Sequence, residues 1–158
     1  MLVSPEQFFA AALSAGAILC GFCGTFLSFR IQREAGYYRQ VALDFEKQKA
    51  RDIYIGKTHF TSSFLLLCLA TVCSAVCGFA FPLLALNGTV WAANRGLVVG
   101  GMIAALILLA AYFAAELVHY GILSGRLVND AREWKTEGWI VAMGVALAAG
   151  CGVYIALI

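Results

Sequence analysis

Charge is what this sequence has least of. Only 13% of its 158 residues are Asp, Glu, Lys or Arg, against about a quarter in an average soluble domain. The scarcity is also local, because no charged residue occurs in Gln7–Phe29, Thr58–Asn94, Gly96–Ala115 or Gly138–Ile158. Crossing the ~30 Å hydrocarbon core of a bilayer takes about 20 apolar residues as a helix, and each stretch is long enough. Four such spans leave no length for a separate soluble domain. Lipid cannot hydrogen-bond an exposed backbone, so a spanning segment is a helix or part of a closed barrel. Barrel strands alternate in polarity over about 10 residues; these runs are longer and continuous, with 62% hydrophobic residues and mean hydropathy +0.85 overall. The sequence therefore predicts an all-α, integral-membrane four-helix bundle forming a single transmembrane domain, 1–158. The predicted spans are about 6–29, 58–82, 97–123 and 138–158, with a helical cytoplasmic loop at 30–57 and a second cytoplasmic loop at 124–137.

Other absences bear on function. There is no phosphate-binding glycine loop, no Ser/His/Asp constellation and no cluster of metal ligands in a connection. An enzyme is not indicated, no cofactor is favoured, and nothing points to nucleic acid. No internal repeat marks an inverted-repeat transporter. The start, MLVSPEQFF, lacks the basic region of a cleaved signal peptide, so the first span is expected to be retained.

The charge that is present is unevenly placed. Arg30, Arg33, Arg39, Lys47, Lys49, Arg51 and Lys57 follow the first stretch; Arg126, Arg132 and Lys135 follow the third. Of the eleven basic residues, Arg95 alone is left between the second and third. The positive-inside rule then places 30–57 and 124–137 in the cytoplasm and both termini outside. Arg30, Arg33 and Arg39 are candidate contacts for lipid headgroups, each cation near an anionic surface contributing about 1 kcal/mol. Trp91, Trp134 and Trp139 fall near span ends, as an aromatic belt would place them. Asn87-Gly88-Thr89 matches a glycosylation sequon, although a turn is the plainer role in so short a connection.

Small residues are periodic. Ala10, Ser14, Ala17, Gly21, Gly24 and Ser28 follow steps of four and three on one face of the first span. Such faces let backbones approach closely where no hydrophobic effect drives association. Their 3.5-residue repeat suggests a left-handed seam. The fourth span offers Gly144, Ala148 and Gly152 at four-residue steps. In the second span Pro82 marks the outer boundary or a kink.

The chemistry-bearing candidate is Glu116, an acid within a span, which costs at least ~2.5–3.5 kcal/mol to insert and so faces protein or water. Tyr112, Glu116, His119 and Tyr120 form one polar stripe at helical spacing. They are candidates for a proton or cation pathway; the plainer alternative is a buried hydrogen-bond cluster that fixes packing. Glu116-x-x-His119 has the spacing used by di-iron bundles, but those use it twice with further carboxylates, and there is no second copy here. His59 with His119 suits a haem poorly, since their depths differ. All six cysteines lie in spans, and Cys20-x-x-Cys23 has no adjacent cation to activate it, so they read as small packing residues. The expected function is a channel or transporter component, or an accessory subunit, working as a homo-oligomer or in a larger membrane complex. The alternatives are a membrane redox protein using haem, quinone or thiols, and a purely structural assembly subunit.

Overall fold

The computed structural model describes residues 4–42, 62–88, 95–119 and 131–157, and all of its regular structure is helical. Helix α1 spans Pro5–Ala42. The second helical unit comprises α2 (Ser62–Cys73), a π turn (Ser74–Ala80) and α3 (Phe81–Leu86). Helices α4 (Arg95–His119) and α5 (Ala131–Leu157) complete the fold. Four of these helical segments are long and apolar enough to cross a membrane.

The ends follow from local chemistry. Ser4 accepts the Gln7 N–H at its hydroxyl (3.2 Å), and Gln7 Oε1 accepts the Ser4 N–H (3.3 Å). This is a reciprocal capping box with Pro5 at the first helical position, where its missing N–H is harmless. The second unit ends at Asn87, and Gly88 takes the left-handed φ of 69° that favours glycine after a helix. The turn reading of Asn87-Gly88 therefore holds at the backbone; Thr89 lies outside the described residues. Several hydroxyls within the apolar helices are satisfied locally. Ser14 donates to the Ala10 carbonyl, Thr25 to Gly21 and Thr71 to Leu67, the back-bonding open to Ser and Thr within a helix.

Several boundaries differ from expectation. The second helical unit does not end at Pro82: that residue lies at the start of α3, which runs on to Leu86. Pro82 cannot donate to the carbonyl four residues back, and its ring crowds that carbonyl. The wide π turn sits immediately before it, where the Phe81 N–H reaches back to Val76. Helix α5 starts at Ala131, inside the predicted 124–137 loop. Helix α1 continues unbroken through Arg30 to Ala42, so this part of the 30–57 segment extends the first helix. Residues 43–57 lie outside the described residues.

The α2–π–α3 unit packs against α1 on one side and α4 on another, while α5 lies chiefly along α4. Of the most apolar window in each span, 39% is buried in α4 but only 11% in α1, which makes α4 central and α1 peripheral. The main core gathers Leu66, Leu67 and Ala70 from α2, Ala104 and Leu108 from α4, Val141 and Ala148 from α5, and Cys23 from α1. A smaller cluster of Phe9, Ala12 and Val98 joins α1 to the other end of α4. There Arg95 also lies 5.3 Å from the centre of the Phe8 ring.

Glycine sets the helix crossings. A Cβ on Gly16 would collide with the backbone of Gly78, and one on Gly100 with the carbonyl of Gly152. The first contact seats α1 on the π turn and the second brings α4 and α5 together. Both are close approaches that only a residue without a side chain permits.

Candidate functional site

Four buried residues of α1 fall at seven-residue intervals, Phe9, Gly16, Cys23 and Arg30, with Ala12 buried between the first two. Three of these build the seam against the rest of the bundle, and the fourth brings a guanidinium inward. Arg30 Nη1 donates to both carboxylate oxygens of Glu116, at 2.7 and 2.6 Å. The Ser63 hydroxyl of α2 donates to Glu116 Oε1 at 3.0 Å. Three helices thus meet at one carboxylate. The Arg30 and Glu116 side chains are 4% and 12% exposed, and Ser63 is fully buried.

One turn away the walls are aromatic. Phe26, four residues before Arg30, stands edge-on to Phe113, three before Glu116, with ring centres 5.1 Å apart. Tyr112 is buried beside Phe113. Burying two opposite charges costs several kcal/mol per ion, offset when the pair is close and its remaining hydrogen bonds are met. Glu116 meets both conditions. The arrangement is a clasp that closes one end of the α1–α2–α4 contact.

The structure sorts the sequence candidates unevenly. Tyr112 and Glu116 come together as one stripe; the side chain of His119 and the whole of Tyr120 lie outside the described residues, as does His59. Arg30, expected among lipid headgroups, is turned inward instead, because the seven-residue seam carries its position to the packed side. Arg33 is exposed, and Arg39 is described only as part of helix α1. Ala10, Ser14, Ala17, Gly21 and Ser28 are exposed and Gly24 is half-buried. That face points away from the bundle, one residue or about 100° from the seam actually used. It carries an open groove of about 460 Å³ lined by Gly21, Gly24, Thr25, Ser28, Phe29 and Gln32. On α5, Gly144 faces Ala111, Ala148 is buried, and Gly152 faces Gly100 and Ala104.

The six thiols are unbonded; Cys23 is buried and the others half-buried. Among the described residues, no group of three or more His, Cys, Asp or Glu converges. Sequence reasoning missed Ser63. Its signal is the Ser62-Ser63 pair inside an otherwise charge-free stretch, where a buried hydroxyl calls for a partner. No family model, curated protein or solved structure matches this chain.

Proposed function

We propose that this protein is a non-enzymatic integral-membrane subunit that works by association, in a homo-oligomer or a larger membrane complex. One observation carries the reading: Glu116, the acid placed among the apolar helices, is engaged by both Arg30 and Ser63. A carboxylate that takes three hydrogen bonds from two side chains is suited to holding helices together and poorly suited to passing cations along. The outward groove of α1, rich in small residues, adds support as a face on which another helix could pack closely. In this reading the basic connections 30–57 and 124–137 lie in the cytoplasm, both termini lie outside, and the lipid bilayer is the constant partner.

Native mass spectrometry of the protein released from its own membranes tests this. A defined oligomer, or a stoichiometric complex with larger partners, is the expected result; a monomer alone rejects it. Reconstituted vesicles separate the pathway reading. Loss of proton or cation flux on Glu116→Gln, with assembly intact, makes Glu116 a transport group, whereas absence of flux in the wild type leaves it as a clasp.

A further inference from the structure

Two charged contacts bracket the bundle. Arg95, over Phe8, and Glu116, on Arg30, lie 21 residues apart on α4. That is about 31 Å at 1.5 Å per residue, close to the ~30 Å hydrocarbon core of a bilayer. Helix α1 repeats the interval, with Phe8 and Arg30 22 residues apart. Helix α5 agrees. Its contacts of Gly144 with Ala111, and of Gly152 with Gly100 and Ala104, run antiparallel and carry position 139 to the level of Glu116. Trp139 stands there with 70% of its surface exposed, as an interfacial aromatic does. In a bilayer these levels set the clasp at one boundary of the hydrocarbon and Arg95 at the other.

On that scale the outward groove of α1 is one leaflet long. Its deep end, Gly21, lies nine residues before Arg30, about 13 Å into the core and near its midplane. Its shallow end, Gln32, lies just past the boundary. A partner helix would follow the whole span, whereas an acyl chain ends at the midplane. Polarity changes along the groove in the same sense. Thr25 returns its hydroxyl to the Gly21 carbonyl. Ser28 and Gln32, both exposed, make no hydrogen bond among the described residues. Arg33 stands exposed beside them, one turn beyond Phe29. Among the described side chains at this level, Arg30 and Arg33 carry two positive charges against the single carboxylate of Glu116. The groove thus opens onto net positive charge.

We infer that this groove seats an anionic phospholipid, with an acyl chain along residues 21–29 and the phosphate beside Arg33, where Ser28 and Gln32 donate to its oxygens. Gly21 and Gly24 let the chain lie against the helix backbone. The inference rests on the bilayer placement proposed for the chain and not on its association. Ala10, Ser14 and Ala17, exposed beyond the deep end of the groove, remain open to a partner helix.

Native mass spectrometry of the full chain tests it, in detergent micelles holding equal amounts of phosphatidylglycerol and phosphatidylcholine with the same acyl chains. Wild type is expected to retain phosphatidylglycerol about fivefold over phosphatidylcholine, as one cation beside an anionic headgroup implies. Arg33→Gln brings that ratio to about one, and Arg33→Lys keeps it. Gly24→Leu fills the groove, since a Cβ there meets nothing within 4 Å, and removes the retained lipid; Thr25→Leu serves if that variant does not fold. Equal retention of the two lipids by wild type overturns the proposal, as does a preference that survives Arg33→Gln or survives filling of the groove. No retained lipid, with an oligomer that Gly24→Leu dissociates, gives the groove to a second copy and overturns it too. Release of the protein from its membranes by detergent, but not by salt or alkali, checks the bilayer placement separately.

Discussion

Arg30 and Glu116, 86 positions apart, meet through one guanidinium nitrogen that reaches both carboxylate oxygens. Breaking such a pair from one side strands a buried charge, which costs about 3–5 kcal/mol. Arg30→Ala is therefore expected to lower the unfolding midpoint sharply in a denaturant titration of the detergent-solubilised protein. The double change Arg30→Met with Glu116→Leu should recover most of the loss, because two apolar side chains leave nothing unpaired. A midpoint for Arg30→Ala equal to wild type would show that the pair ties nothing together.

The crossing of α1 over the π turn depends on Gly16. An added Cβ there meets the Gly78 backbone, which cannot rotate away as a side chain could. Gly16→Ala should cost about 1–3 kcal/mol, the usual penalty for overpacking. Gly21→Ala meets nothing within 4 Å and should change stability by no more than about 0.5 kcal/mol. Comparing the two midpoints checks the phase of α1 directly.

A parallel contrast exists on the other side of the bundle. Gly100→Ala drives a methyl into the Gly152 carbonyl, whereas Gly150→Ala points into open space. The first is expected to loosen α4 from α5, seen as faster proteolysis between them or as a lowered melting temperature. The second should behave as wild type.

At the opposite end from the clasp, Arg95 lies over Phe8. A cation–π contact at a partly exposed site contributes about 0.5–1 kcal/mol. A double-mutant cycle with Phe8→Leu and Arg95→Gln is expected to return a coupling of that size. Zero coupling would assign both residues to independent roles.

The four helices were legible because charge-free stretches of spanning length leave the backbone few options. The α4–α5 contact was legible too, since Gly144, Ala148 and Gly152 lie four apart and only a short connection precedes them. The phase of α1 was not. Its sequence offers two faces with the same 3.5-residue repeat, Ala10-Ala17-Gly24 and Phe9-Gly16-Cys23, and only the neighbouring helices decide between them. That ambiguity also hid the partner of Glu116: Arg30, the first charge after an apolar run, looks like a headgroup contact until the chosen face turns it inward. Pro82 signalled a disturbance in the second span, but its π form cannot be derived from composition.

Helix α1 runs without a break for 38 residues, about 57 Å at 1.5 Å per residue. The stretch beyond Arg30 is about 18 Å of stiff rod, fastened at its base by the carboxylate of a different helix. A tilt of about 10° at that fastening would carry the tip sideways by about 3 Å. Small rearrangements around Glu116 are thereby geometrically amplified at Ala42, so a probe attached there would register motion that the buried residues themselves barely display.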